Sequence, residues 1–151
     1  MLVADNFAKK GLQEMENAGM DVLYDAELQG ADLAAALAEV QPEVLVVRST
    51  QVDQAVVDAA ENLQLVVRAG AGYDTIDHDH CSRRGIYVAN CPAVNAHAVS
   101  ELTLGLILSI DRRIAESTYQ LKTGNWNKEL FRKAKGVKGR TLGLIGGGNI
   151  A

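Results

Sequence analysis

A doubly wound α/β fold on a parallel sheet is predicted by three features of the sequence. Short apolar runs alternate with helical patterns over roughly the first 95 residues. The runs at 43–47 ("EVLVV") and 63–67 ("LQLVV") are almost continuously apolar, as strands covered on both faces must be. Glycine and polar turns separate each run from the helical pattern after it.

The elements follow in order. "MLVA" (1–4) reads as a first strand, with a helix from about Ala8 to Ala18 that ends at Gly19. "DVLY" (21–24) precedes the helical "ADLAAALAEV" (31–40), and 43–47 precedes "VDQAVVDAAE" (52–61). The run at 63–67 leads into a glycine turn and a polar helix from about Asp77 to Arg84, and "IYVA" (86–89) closes a five-stranded unit. A long helix is expected from about Ala96 to Lys122. Its middle, "LTLGLILSI" (102–110), is apolar on nearly every side and must be covered. The polar stretch 124–140 carries Trp126, Leu130 and Phe131 and reads as an arm. Its basic residues at 132–140 suit a solvated connector better than a nucleic-acid patch. The chain then enters "TLGLI" (141–145), which reads as a further strand, and the glycine turn "GGGNIA" (146–151).

Composition bounds the function. With 48% hydrophobic and 23% charged residues the 151-residue chain is of ordinary globular type. A net charge of −4 argues against a general nucleic-acid binder. Two cysteines, Cys81 and Cys91, form no disulfide framework, and no secretory signal is visible at the N-terminus, so a reducing, cytoplasmic location is expected. The apolar stretch 102–110 is too short to span a membrane, which needs about 20 residues.

Ligands of open α/β sheets bind beyond the C-terminal ends of the strands. Arg48, Ser49 and Thr50 follow the run at 43–47, and Arg68-Ala69-Gly70-Ala71-Gly72 follows the next. The two glycines allow unusual backbone angles and expose N–H groups, a plausible anion nest. Asn90-Cys91-Pro92-Ala93-Val94-Asn95 follows the last strand, with an amide at its end. Together these suit a small anionic substrate. On spacing alone, ordinary loops with Arg48 in a surface ion pair account for them equally well. Gly146, Gly148 and Ala151 fit G-x-G-x-x-[G/A], the dinucleotide-binding pattern, in which small residues permit the turn, the approach of a pyrophosphate and close helix packing.

"DHDHC" (77–81) offers His78, His80 and Cys81 as metal ligands, but such spacing on one helix does not converge on a tetrahedral ion. It reads instead as an acidic helix start, and no metal is expected. His97 reads as a capping or interface residue and Trp126 as a packing anchor. A receiver-type signalling domain would need an Asp where Arg48 stands.

"VLVVRST", "VRAGAGYDTIDHDHCSRRGIYVANCP", "NAHAVSELTLGLIL" and "GRTLGLIGGGNIA" together resemble the D-isomer-specific 2-hydroxyacid dehydrogenases along the whole chain. Within that family the phosphoglycerate dehydrogenases of serine biosynthesis are the nearest likeness, with hydroxypyruvate and glyoxylate reductases as neighbours. The resemblance implies a flavodoxin-like or Rossmann-like substrate-binding domain begun by residues 1–95. It implies an interdomain and dimerisation helix and arm over 96–140, and the first strand and turn of an NAD-binding Rossmann domain at 141–151. The chain is then expected to be an N-terminal part of a longer enzyme, a homodimer or higher homo-oligomer with NAD as cofactor and a small 2-hydroxy or 2-oxo acid as substrate.

Arg48, Ser49, Gly70, Ala71, Gly72 and Asn95 match the family's substrate-binding positions. Ala71 also lies near the nicotinamide end, and Gly146, Gly148, Asn149 and Ile150 match the pyrophosphate turn. The family's catalytic Arg, Glu and His follow the glycine motif, so no residue here matches them. The resemblance leaves open a non-catalytic binding module of corepressor type. The departures are Cys91 where the family usually has Thr, Val94 where it has Gly, Asn149 where an Arg is common, and Ala151 where the final small residue is Gly.

Overall fold

The computed structural model describes residues 1–151 and divides into two compact units, Met1–Val94 and Asn95–Ala151. The first unit is the predicted doubly wound domain. Five parallel strands, β1 (Leu2–Ala4), β2 (Leu23–Asp25), β3 (Val44–Val47), β4 (Leu65–Arg68) and β5 (Tyr87–Asn90), lie in the order β2-β1-β3-β4-β5. Each crossover is helical: α1 (Lys9–Asn17), α2 (Gly30–Val40), α3 (Gln54–Asp58) and α4 (His78–Arg83). This is the flavodoxin-like order, in which the chain reverses its direction of growth between β1 and β3.

Residue type explains the packing. Leu2, Ala4, Leu45, Val47 and Val66 meet Leu33 and Leu37, one turn apart on α2, together with Val56 and Val57 of α3 and Cys81 of α4. Leu33 and Leu37 are fully buried, so truncating either to Ala should remove about 2–5 kcal/mol. Acidic caps start the short helices: Asp53 accepts from Val56 N at 3.0 Å and Asp77 from His80 N at 2.9 Å. The helix α2 ends at Gln41, in the left-handed region at φ 48°. The Gln41 amide donates to Ala38 O and Ala59 O, and its oxygen accepts from Glu61 N, tying the end of α2 to the entry of β4.

The second unit holds α5 (Ala96–Arg112), α6 (Ile114–Lys122) and α7 (Lys128–Phe131). The single helix expected over 96–122 is therefore two. Arg113 adopts the left-handed conformation (φ 54°, ψ 42°) and separates them. Its guanidinium bonds to Glu116 and to Leu130 O and lies 5.0 Å over the Phe131 ring, contacts that hold the break. The strand expected at 141–145 is not formed: no strand lies in this unit for it to pair with, and Ile145 is 107% exposed. The apolar middle of α5 is uncovered, from Leu102 (61% exposed) to Ile110 (77%). No helix is long and apolar enough to cross a membrane.

One side chain joins the strands at the reversal. Asp5, immediately after β1, accepts from Arg48 N at 2.8 Å and from Ser49 N and Thr50 N at 2.9 Å each, and its other oxygen accepts from Ser49 Oγ at 2.9 Å. Its φ is +91°, a conformation that Asp tolerates better than most residues. Burial opposes ionisation of the carboxyl, but the hydrogen bonds from Arg48, Thr50 and Ser49 outweigh it and hold its pKa well below the usual carboxylate range. A carboxyl with a lower pKa folded than unfolded stabilises the fold above the unfolded value of about 3.9, and that contribution is lost as pH falls below it. Asp5→Ala should therefore cost about 1.5–3 kcal/mol at pH 7, and the gap from the unaltered protein should narrow at pH 3. Urea denaturation at both pH values measures this; equal stability of the two proteins at pH 7 would refute the role of Asp5.

Candidate functional site

The chain reverses its direction of growth between β1 and β3, and it is beyond the strand ends at such a point that doubly wound folds take their ligands. Asp5 gathers three successive amides there, so the backbone of Arg48–Thr50 is held while the Arg48 side chain stays exposed. Arg48 forms no ion pair in the chain, which removes the surface-pair alternative left open by the spacing. Ser49 is exposed, but its hydroxyl already donates to Asp5.

Parallel register brings a second cation alongside. Val47 pairs with Arg68, and Arg68 with Asn90, so Arg68 ends β4 next to the residue that precedes Arg48. Arg68 is half-buried and has no carboxylate partner, and its Nε is buried without a hydrogen-bond acceptor. Its guanidinium lies against Gly70, where any Cβ would displace it. A Cβ at Gly72 would stand 2.9 Å from Asp74 Oδ1. Both glycines are thus explained by close neighbours.

The amides of this loop divide in two. Gly70 N donates to Arg68 O at 2.8 Å, whereas Ala71 N and Gly72 N donate to nothing within the chain. The free donors of the expected nest are therefore those of Ala71 and Gly72. Asn90 Nδ2 donates to Ala71 O at 2.6 Å and Cys91 N to Gly70 O at 2.9 Å, fastening the loop to β5. A parallel bridge between Val52 and Ile76, with Val52 N on Thr75 O and Asp77 N on Val52 O, braces the rim from the other side. Register thus sets Arg68 beside the residue before Arg48, and the loop that follows Arg68 carries the free amides of Ala71 and Gly72; guanidiniums and free amides are donor types that suit an anion.

Asn95 belongs to the second unit, where it precedes α5. Its carbonyl accepts from Val99 N at 3.0 Å and its side chain makes no capping bond. Val94 raises no strain in the preceding loop, because the positive φ falls on Ala93 (+61°) instead. The turn at 146–151 also belongs to the second unit. Gly146 has φ +95°, and no atom lies within 4 Å of an ideal Cβ at Gly146, Gly147 or Gly148. The N–H groups of 147–150 donate to nothing in the chain, and Ala151 N closes the turn onto Gly148 O at 3.1 Å. Open space above consecutive free amides fits a pyrophosphate.

Neither Asp5 nor Arg68 is assigned a site role by the sequence alone. An acidic residue directly after the first strand was the available signal for Asp5. Arg68 needed the register to be seen. The residues of 77–81 diverge: Cys81 is in the core, His80 Nε2 is 2.8 Å from Asp58 Oδ1, and the His78 ring is tilted beside Tyr73.

Residues 1–134 match the family model for the D-isomer specific 2-hydroxyacid dehydrogenase catalytic domain. The chain is 40% identical over 149 residues to the hydroxypyruvate reductase of Thermotoga maritima, covering 98% of the chain and 48% of that protein. It is 36% identical over 151 residues to the human D-3-phosphoglycerate dehydrogenase, covering 99% of the chain and 28% of that protein. Among solved structures, NAD⁺-bound 3-phosphoglycerate dehydrogenase of Entamoeba histolytica is similar with a TM-score of 0.65 at 32% identity, over 74% of the chain and 39% of that one. The chain thus spans about half of one relative and less of the others, and it belongs to the D-isomer specific 2-hydroxyacid dehydrogenase family.

Proposed function

We propose that these residues supply the substrate-anion site and the pyrophosphate turn of an NAD-dependent dehydrogenase. Its reaction is the oxidation of D-3-phosphoglycerate to 3-phosphohydroxypyruvate. The observation that carries the reading is that adjacent strand ends carry Arg48 and Arg68, neither with a carboxylate partner, and that the loop after Arg68 leaves the amides of Ala71 and Gly72 free. Two cations and two N–H donors suit a substrate with a carboxylate and a second anionic group. Arg48, Ser49, Gly70, Ala71, Gly72 and Asn95 are assigned to the substrate, and Ala71, Gly146, Gly148, Asn149 and Ile150 to the cofactor. A bound NAD would supply the acceptor for the C2 hydride. The free amides of 147–150 would hold its pyrophosphate, while Arg48 and the Ala71–Gly72 amides would hold and orient the acid. Residues 1–95 are read as part of the substrate-binding domain, 96–140 as the interdomain helix and arm, and 141–151 as the start of the NAD-binding domain.

A second reading, hydroxypyruvate or glyoxylate reduction, is favoured by the 40% identity to the Thermotoga reductase. Comparing NADH formation from D-3-phosphoglycerate with NADH consumption on hydroxypyruvate and glyoxylate separates the two. Turnover by neither route, in a protein that also carries the family's acid/base residues, would leave the corepressor-type binding module. The 151 residues assayed alone should give no turnover, since none of them matches the family's Arg, Glu or His.

In a protein that also carries the family's acid/base residues, Arg48→Ala should mainly raise KM, because it removes binding shared by ground and transition states. A hydrogen bond to a charged group is worth about 1.5–3 kcal/mol, so the rise should be about tenfold to a hundredfold. Unchanged steady-state kinetics would move the anion site elsewhere.

The uncovered apolar surface of α5 supports a homo-oligomer, a dimer in the first instance. Light scattering during gel filtration at micromolar concentration should show a mass above one chain. A sharp peak at 16.2 kDa that is unchanged on dilution would contradict this.

A further inference from the structure

Ser100 stands on the second turn of α5, where a helical serine ordinarily bonds only to the carbonyl four residues back. Its hydroxyl is 2.9 Å from that carbonyl, Ala96 O, but it also lies 2.7 Å from Ile150 O, 50 residues along the chain. Ile150 O and Ala151 N belong to one peptide group, and Ala151 N donates to Gly148 O at 3.1 Å. The 150–151 peptide is therefore held on both of its polar atoms. It follows directly the amides of 147–150 that have no partner in the chain. No other side chain donates to this segment.

We propose that Ser100 is a positioning residue for the anion-binding turn: by holding the Ile150 carbonyl it fixes the plane of the 150–151 peptide, and so the arrangement of the free amides before it. The inference rests on the reading of that turn as the pyrophosphate site. Its physical basis is preorganisation. A turn already ordered loses less freedom when a ligand arrives, so removing the clasp weakens binding without removing any contact to the ligand.

Two readouts separate the clasp from the site it serves. The first is the Ile150 carbonyl-carbon shift and the Ala151 amide exchange rate by NMR, compared in the unaltered protein, Ser100→Ala and Ser100→Thr. Ser100→Ala should move the carbonyl shift upfield and speed Ala151 exchange, and Ser100→Thr, which keeps the hydroxyl, should restore both. Alanine is the better helix former, so α5 itself should persist, which far-UV circular dichroism checks. The second is titration with millimolar NAD, followed on the amides of 147–150. Ser100→Ala should weaken binding about three- to tenfold, the range for one neutral hydrogen bond, again restored by Ser100→Thr. An unmoved Ile150 carbonyl in Ser100→Ala would overturn the clasp. A moved carbonyl with unchanged NAD affinity would overturn its positioning role. Amides that ignore NAD in the unaltered protein would overturn the positioning role of Ser100 in this chain, while the carbonyl shift still decided whether the clasp exists.

Discussion

The bond pattern of Asp5 is the constraint from which the first unit's site follows. A doubly wound sheet must separate two neighbouring strands whose onward connections leave in opposite directions, and the loops beyond them share no ladder. Here one carboxylate bridges that gap by accepting three successive amides of the loop after β3 and the Ser49 hydroxyl. Asp5 holds a positive φ to do so, and the charge-assisted bonds offset that strain. With the loop backbone held, the Arg48 side chain is left without an intramolecular partner. Register does the rest, setting Arg68 beside Val47 and Asn90 beside Arg68.

How far the sequence reveals this depends on the range of the interaction. The strands were legible where burial on both faces makes them apolar, as at 43–47 and 63–67, and the structure places β3 and β4 within a residue or two of those runs. The acidic start at Asp77 was legible because capping is local. What escaped was non-local. The roles of Asp5 and Arg68 depend on strand order and register, which periodicity does not encode. Arg113 breaks a continuous helical pattern through contacts with Leu130 O and Phe131, both far from it in sequence. The run at 141–145 has strand composition, but a strand is a pairwise object, and no partner strand exists in its unit.

The two glycine loops reach the same donor chemistry by different routes. At Gly70 and Gly72 the missing side chains make room for neighbours already in the chain, the Arg68 guanidinium and the Asp74 carboxylate. At Gly146–Gly148 nothing occupies the space a Cβ would take. The first loop is shaped by its own protein and leaves only the amides of Ala71 and Gly72 free. The second leaves four consecutive amides free and an open approach. A compact anion such as a carboxylate needs few donors and gains from a nearby cation, whereas a pyrophosphate spreads its charge over more oxygens and needs backbone to approach along its length. The difference in donor count is what the proposed division of ligands between the two loops rests on.

The departures from the family pattern carry information of the same kind. A left-handed backbone just before Asn95 would favour glycine there, and the backbone is not left-handed: the positive φ falls one residue earlier, on Ala93. Val94 is thus compatible with the loop, while Ala93 is the residue under strain, at a cost of order 1 kcal/mol or more. Replacing Cys91 by Thr would leave its backbone donation to Gly70 O intact, because that bond uses the amide and not the side chain. What Cys91 changes is confined to its exposed side chain. Asn149 lacks the charge of an Arg, so on the proposed reading any hold on a phosphate would fall to the backbone amides of this turn, and the shape of the turn would matter correspondingly more. A turn whose donors are all main chain depends on whatever fixes its peptide planes, and here that is the Gly148 carbonyl on one side and the Ser100 hydroxyl on the other.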